Sequence, residues 1–180
     1  DDTGKWSGTT YYGAFPSWVS SYNDRQGLDF RIGEMAWEPY LPVTMYQYLT
    51  SEVKQLTFKH KFDDERVHKY RRFKTSPYVN DEVNRLVNAC LSGTSIGRDL
   101  APDLLNLAYY AGNYDHRPVT ECPMEMQDVY VRLDSSLADL LELIDRKIGL
   151  DNTLFYITST GCFDSAPLDA QRYRIPTGEF

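Results

Sequence analysis

Residues 127–161, QDVYVRLDSSLADLLELIDRKIGLDNTLFYITSTG, decide how this chain folds. Val129, Leu133, Leu137, Leu140/Leu141, Ile144 and Ile148 recur every three or four positions, the spacing of an amphipathic helix. Pro123 suits the first turn, where a missing N–H costs nothing, and Gly149 supplies the stop. Arg146 and Lys147 fall in the last turn, where cations meet the helix dipole favourably. The spacing predicts a helix from about Pro123 to Lys147, then a polar turn, then a strand over Asn152–Thr158. Upstream, Leu104–Tyr110 is near-continuously apolar, as a buried parallel strand is. Strand, helix, strand implies a parallel crossover with both polar tips at one sheet edge. Open α/β sheets bind ligands at that carboxyl edge, so Gly112–His116 and Thr158–Cys162 are where function should be legible.

Outward from this unit, a second helix is predicted after Tyr78, capped by Asn80 or Asp81, with Val83, Leu86, Val87, Cys90 and Leu91 as its apolar stripe. Lys5–Tyr12 reads as a short strand, and Phe15-Pro16 opens a helix through Ser17–Tyr22. Asp24–Pro42 is irregular and aromatic, a packed excursion, since Trp37 and Tyr40 within it and Met45, Tyr46 and Tyr48 just beyond it need cover. Lys54–Lys74 is the one basic stretch. Its ordinary reading is a solvated face, with His60 and His68 exposed; its sharper reading is a surface for an anionic ligand or protein partner. The organisation expected is an irregular, aromatic and basic part over 1–78, then a helix-strand-helix-strand core over 79–165.

At 180 residues the chain can bury the core of one domain. A net charge of −7 argues against nucleic acid as a bulk partner, because a phosphate backbone demands a cationic footprint. No apolar run approaches a membrane span. The chain opens at Asp1 without Met and stops at TGEF, which reads as a piece of a longer polypeptide, whose remainder would then be a partner. Three cysteines match no zinc-ribbon spacing. Cys90 sits on a helical stripe as a small core residue, whereas Cys122 and Cys162 can approach one another if the crossover holds.

Three stretches carry a resemblance: DDTGKWSGTTYYGAFPSWVSSYN at the start, FKTSPYVNDEVNRLVNACLSGTSIGRDLAPDLLNLAYY in the middle, and QDVYVRLDSSLADLLELIDRKIGLDNTLFYITSTG. The last is similar to D-x-Y-x-R-L-D…L-x-x-L-D…G-x-x-N-T-L-x-x-x-T-x-D-H-G. Together they resemble the central section of the alkaline-phosphatase superfamily, in its phosphatase and nucleotide pyrophosphatase/phosphodiesterase branch. The resemblance implies a three-layer α/β/α domain with a parallel sheet, here partial, and a periplasmic or secreted setting. It also implies two-zinc phosphoryl-transfer chemistry, in which the ions activate a Thr or Ser nucleophile and clamp the phosphoryl oxygens.

Two ligand pairs of that chemistry should fall inside this section. In the D-x-x-G-H frame, Gly112-Asn113-Tyr114-Asp115-His116 keeps the histidine at His116 and puts Gly112 at the aspartate position. In T-x-D-H-G, Thr160 and Gly161 stand for aspartate and histidine. Glycine offers no ligand and a threonine hydroxyl is a poor one, so no catalytic residue is assigned, His116 is the retained metal-ligand position, and no cofactor is expected to bind. The expected function is therefore a catalytically inactive or altered phosphatase-like segment. Its alternative is a binding or scaffold module that keeps the fold to hold an anion or protein. A relocated metal site built from Asp115, His116, Cys122, Cys162 and Asp164 is a third reading; against it, the two thiols pair as a disulfide or stand idle.

Overall fold

The computed structural model of the chain describes residues 3–46, 57–63 and 69–159. Its elements are α1 (Ser17–Gln26), β1 (Ala36–Trp37), β2 (His60–Lys61), α2 (Lys69–Lys74), α3 (Tyr78–Gly93) and α4 (Pro123–Lys147), joined by single-turn 3-10 helices. Among the described residues the fold is mixed, mostly helical, with one small sheet: β1 and β2 pair antiparallel, Trp37 opposite His60.

The long helix runs as its periodicity predicts. Ser135-Ser136 does not break it: the Ser136 hydroxyl donates to Asp81 Oδ1 at 2.8 Å, and its carbonyl accepts from Asn84 Nδ2 at 2.7 Å. Those bonds tie α4 to α3. Beside them Val83, Val87, Leu91, Leu140, Leu143 and Ile144 form one buried cluster. Leu137 is only half-buried, because Ser136 takes the position nearest α3. Gly149, at φ +94°, turns the chain out of the helix while its N–H still reaches Ile144 O at 3.1 Å. A second cluster gathers Trp37, Tyr46, Phe58, Phe62, Phe73, Tyr114, Met124 and Val129, so the aromatic excursion packs on the N-terminal half of α4. Tyr40 and Met45, expected under cover, are more than half exposed.

Side-chain hydrogen bonds take the place of one expected strand. Over Lys5–Tyr12 there is no strand: Thr9 accepts from Tyr11 N–H and folds Thr10–Tyr12 into a 3-10 turn. The Asn23 carboxamide meanwhile closes both backbone bonds of Trp6, at 2.9 and 2.8 Å. Helix α3 starts at Tyr78 behind Pro77 with no side-chain cap, which frees Asn80 for another task.

The predicted parallel pair is not formed among the described residues. Neither Leu104–Tyr110 nor Asn152–Thr158 is a strand, and no backbone hydrogen bond joins them. Strand pairing is a two-sided condition, and among the described residues neither segment is hydrogen-bonded to a second extended backbone. The apolar side chains show the same lack: Leu104, Leu154, Tyr156 and Ile157 remain 91%, 95%, 88% and 79% exposed. Each forgoes about 1.5–3 kcal/mol of burial.

Candidate functional site

The Gly112–His116 tip hangs from the aromatic cluster by Tyr114. The Tyr114 ring meets Trp37 edge-on at 5.2 Å and lies 4.2 Å from the His60 ring. Tight turns follow at once: His116 N–H donates to Asn113 O at 3.2 Å, and Arg117 N–H to Tyr114 O at 3.0 Å. That geometry puts Asp115 and His116 at φ +49° and +57°. Two consecutive non-glycine residues in the left-handed region cost on the order of 1–2 kcal/mol each. Asp115 N–H donates to Thr75 Oγ1 at 3.1 Å, and the Asp115 carboxylate faces Arg72 Nε at 4.0 Å, which offsets part of that cost.

His116 is exposed at this tip. Gly112, at the aspartate position of the resemblance, is not open space. A Cβ built there would stand 2.8 Å from both Cζ and the hydroxyl of Tyr110. The Tyr110 hydroxyl is itself held, donating to Asn113 O at 2.6 Å. Thr160, Gly161, Cys162 and Asp164 lie outside the described residues, as do the 54–56 and 64–68 parts of the basic stretch, His68 among them. The structure thus places two of the four candidate ligand positions, Gly112 and His116, on one short turn.

Cys90 is buried on α3 as its stripe predicts, Cys162 lies outside the described residues, and His60 differs from the sequence reading. Cys122 is buried, its Sγ 3.3 Å from Pro118 O. Burial, reinforced by the Glu125 and Glu121 charges against Arg117, pushes its pKa up to about 11, which keeps it protonated and a poor ligand. Among the described residues no three His, Cys, Asp or Glu side chains gather as a metal site. His60 is not solvent-exposed as a charge run suggests. It is mostly buried, stacked on Phe58 with 25° between the rings, and its Nε2 sits 3.0 Å from Oε1 of buried Glu125. Other cations of the stretch are also engaged: Lys59 with Glu38, Lys69 with Asp29 and Arg72 with Asp115.

The most heavily bonded group is one that sequence reasoning passed over. The Asp128 carboxylate is fully buried and accepts from Trp37 Nε1 at 2.5 Å, Tyr40 N at 2.7 Å, Tyr46 hydroxyl at 2.5 Å and Arg132 Nε at 2.8 Å. Arg132 in turn lies over the rings of Tyr40 and Tyr78, 5.0 Å from each, and donates to Glu38 O. The signal available was the Asp128/Arg132 spacing of four on a helix whose apolar stripe starts one residue later. With all four donors in place the carboxylate has no lone pair to spare for a metal, so its role is architectural.

A polar groove of about 430 Å³ runs beside the α3–α4 seam, lined by Asp81, Asn84, Arg85, Arg132, Asp139 and Arg146 among others. Its charges cancel. Arg132 is committed to Asp128, and Arg85 and Arg146 are balanced by Asp81 and Asp139. Burial raises the Asp81 carboxyl above the ordinary carboxylate range, with the Ser136 hydrogen bond and Arg132 opposing.

No family model matches the chain, and no solved structure matches it either. Curated proteins do. It is 25% identical over 193 aligned positions to alkaline phosphatase PafA of Elizabethkingia meningoseptica, covering all of this chain and 35% of that protein. It is 26% identical over 170 positions to alkaline phosphatase PhoV of Synechococcus elongatus, covering 88% of this chain and 31% of that protein. A protein of Myroides odoratus named calcium-transporting ATPase is 24% identical over 171 positions. The chain spans about a third of the length of the curated relatives it matches. These similarities support an alkaline-phosphatase-like relationship.

Proposed function

We propose that this chain is the central section of an alkaline-phosphatase-like protein of the phosphatase and nucleotide pyrophosphatase/phosphodiesterase branch, with an α/β/α plan, that does not hydrolyse phosphate esters. The observation that carries the reading is Gly112. At the position where the resemblance calls for a metal-binding aspartate, there is no side chain, and the Tyr110 ring fills the space a Cβ would need. Two-metal phosphoryl transfer depends on carboxylate and imidazole ligands to set the ions' spacing and activate the nucleophile. Here His116 stands at such a position with Gly112, Thr160 and Gly161 at the others, and one imidazole does not hold a dinuclear site. Losing a single well-placed electrostatic contributor costs about 10²–10³ in rate, so three losses leave nothing measurable.

Metal analysis and turnover of p-nitrophenyl phosphate test this together. The expected outcome is less than one zinc per chain and no hydrolysis of mono- or diesters. Two ions per chain, with turnover that His116→Ala abolishes, would overturn it.

A binding module is the second reading, and one feature favours it. Arg72 Nε is buried without a hydrogen-bond partner beside the Asp115–His116 tip, its ion pair with the Asp115 carboxylate standing at 4.0 Å, beyond hydrogen-bond reach. A guanidinium so placed suits an anionic oxygen better than it suits solvent. Saturable binding of inorganic phosphate that Arg72→Gln weakens, with no turnover, would favour this module.

A further inference from the structure

The polar groove beside the α3–α4 seam is walled by two stripes at helical spacing: Asp81, Arg85 and Asn88 from α3, and Ser135, Asp139 and Arg146 from α4. The two helices run parallel and in register. Ser136 bonds Asp81 and Lys147 bonds Ser92, each pair 55 residues apart, so a residue of α3 stands level with the one 55 later on α4. On that register Asp139 is level with Asn84, beside Arg85, and Arg146 is level with Leu91. Charges that cancel in sum are therefore separated in space. The carboxylates Asp81 and Asp139 precede the guanidiniums Arg85 and Arg146 by roughly 8 Å of helix rise. Nor are these groups spent on each other. Among the described residues Arg85, Asp139 and Arg146 make no hydrogen bond and no ion pair, and Asp81 has one hydrogen bond, from Ser136 to its Oδ1.

We propose that this groove binds a zwitterionic di- or tripeptide, its α-ammonium at Asp81 and Asp139 and its α-carboxylate at Arg85 and Arg146. The signs select the class. A simple anion or cation that is attracted at one end of the groove is repelled from the other. A neutral polyol returns no charge for the water it strips from ionised groups, whereas charge-assisted hydrogen bonds are about twice as strong as neutral ones. Each guanidinium is a planar fork that takes a carboxylate with two parallel bonds. An extended chain advances about 3.3–3.6 Å per residue, so two to three residues cover the offset between the two ends. Asn88, level between the two arginines and without a hydrogen bond of its own, offers a carboxamide matched to the ligand's peptide groups. Burial disfavours the Asp81 carboxylate, a penalty that an ammonium beside it relieves. The volume, about 430 Å³, lies within the range of small-ligand sites.

Isothermal titration calorimetry of the 180-residue chain tests it, with triglycine, N-acetyltriglycine (no ammonium) and triglycinamide (no carboxylate) as probes. Triglycine is expected to bind saturably at one site, and each singly charged analogue about tenfold or more weakly. Arg146→Gln and Asp139→Asn, both at exposed positions, should each weaken triglycine about tenfold without moving the thermal midpoint. The preference for triglycine over triglycinamide should shrink in Arg146→Gln, and that over N-acetyltriglycine in Asp139→Asn, a split that a general loosening of the fold does not produce. No saturable binding, equal binding of the three probes, or binding indifferent to both substitutions overturns the proposal. So does equal or tighter binding of maltose, which would make the groove a site for neutral polyols. N-acetyl-Lys-Gly-Glu-amide, with its charges on side chains, stands for a protein surface; tighter binding of it than of triglycine overturns the free-peptide assignment. Should the 180-residue chain not unfold cooperatively by itself, the same titrations on the native polypeptide with its flanking sequence decide, on the same outcomes.

Discussion

The carboxamide of Asn80 closes both backbone hydrogen bonds of Tyr110, donating to its carbonyl at 2.9 Å and accepting from its N–H at 2.7 Å. One buried side chain of α3 thus does for Tyr110 what a neighbouring strand would do. It fixes the point where segment 104–110 turns into the Gly112–His116 tip. Asn80→Asp keeps the acceptor and loses the donor, setting a carboxylate oxygen against a carbonyl. It should cost about 1–3 kcal/mol in urea unfolding. Asn80→Ala should cost as much or more, because both Tyr110 groups lose their partner. A change under 0.5 kcal/mol in either variant, as roughly expected of an ordinary surface position, would show that the clamp contributes nothing.

Asp128 should prove the costliest polar residue to remove. Asp128→Ala leaves the Arg132 guanidinium, the Trp37 indole N–H and the Tyr46 hydroxyl without their shared acceptor, and should cost about 3–5 kcal/mol. Tyr46→Phe removes one donor of four and should cost only about 1 kcal/mol. The order of the two, read from thermal or urea unfolding, is the check. Tyr46 reports the same contact: burial first, then the Asp128 hydrogen bond, raise its phenol to about 12, so spectrophotometric titration should find it ionising late.

Asp81 gives a pH dependence with a definite sign. Burial raises its carboxyl in the fold, so the protonated form is the one folding favours. Its contribution is full below the unfolded value of about 3.9 and is lost as pH rises through the raised folded value. Asp81→Asn still offers Ser136 an acceptor and does not ionise. Its stability relative to the unmodified chain should therefore grow as pH rises from the unfolded value through the raised folded one, then level off. A relative stability that stays flat or falls over that range would contradict the assignment.

Cys122 should be silent. With its thiol buried and raised to about 11, it should fail to react with a disulfide reagent at pH 8 in the native state and react fully in denaturant. Buried Cys90, also raised by burial, should behave alike. Rapid native labelling of Cys122 would show that the Pro118–Glu121 turn opens readily.

What could be read in advance divides along the range of the interactions. Helix α4 was legible to the residue because Val129, Leu140 and Ile144 encode it within a few turns of each other. The small antiparallel pairing of Trp37 with His60 was not, since nothing local distinguishes those positions from loop. His60 read as a solvated member of a charge run, and only the three-dimensional meeting with Glu125 and Tyr114 buries it. Asp128 hid for the opposite reason: a carboxylate at the start of an amphipathic helix is ordinary, and its donors lie more than eighty residues upstream at Trp37, Tyr40 and Tyr46. Gly112 and His116 were singled out by a motif resemblance; what that motif does not contain is the tyrosine packed against the first of them.

That tyrosine makes Gly112 a position with a sterically guarded side. Any side chain placed there brings a Cβ against the Tyr110 ring, 2.8 Å from its Cζ and hydroxyl, and presses on the bond that hydroxyl makes to Asn113. A carboxylate introduced by Gly112→Asp would therefore arrive in a turn rearranged by its own arrival, and a variant meant to carry one there needs a smaller residue at 110 as well.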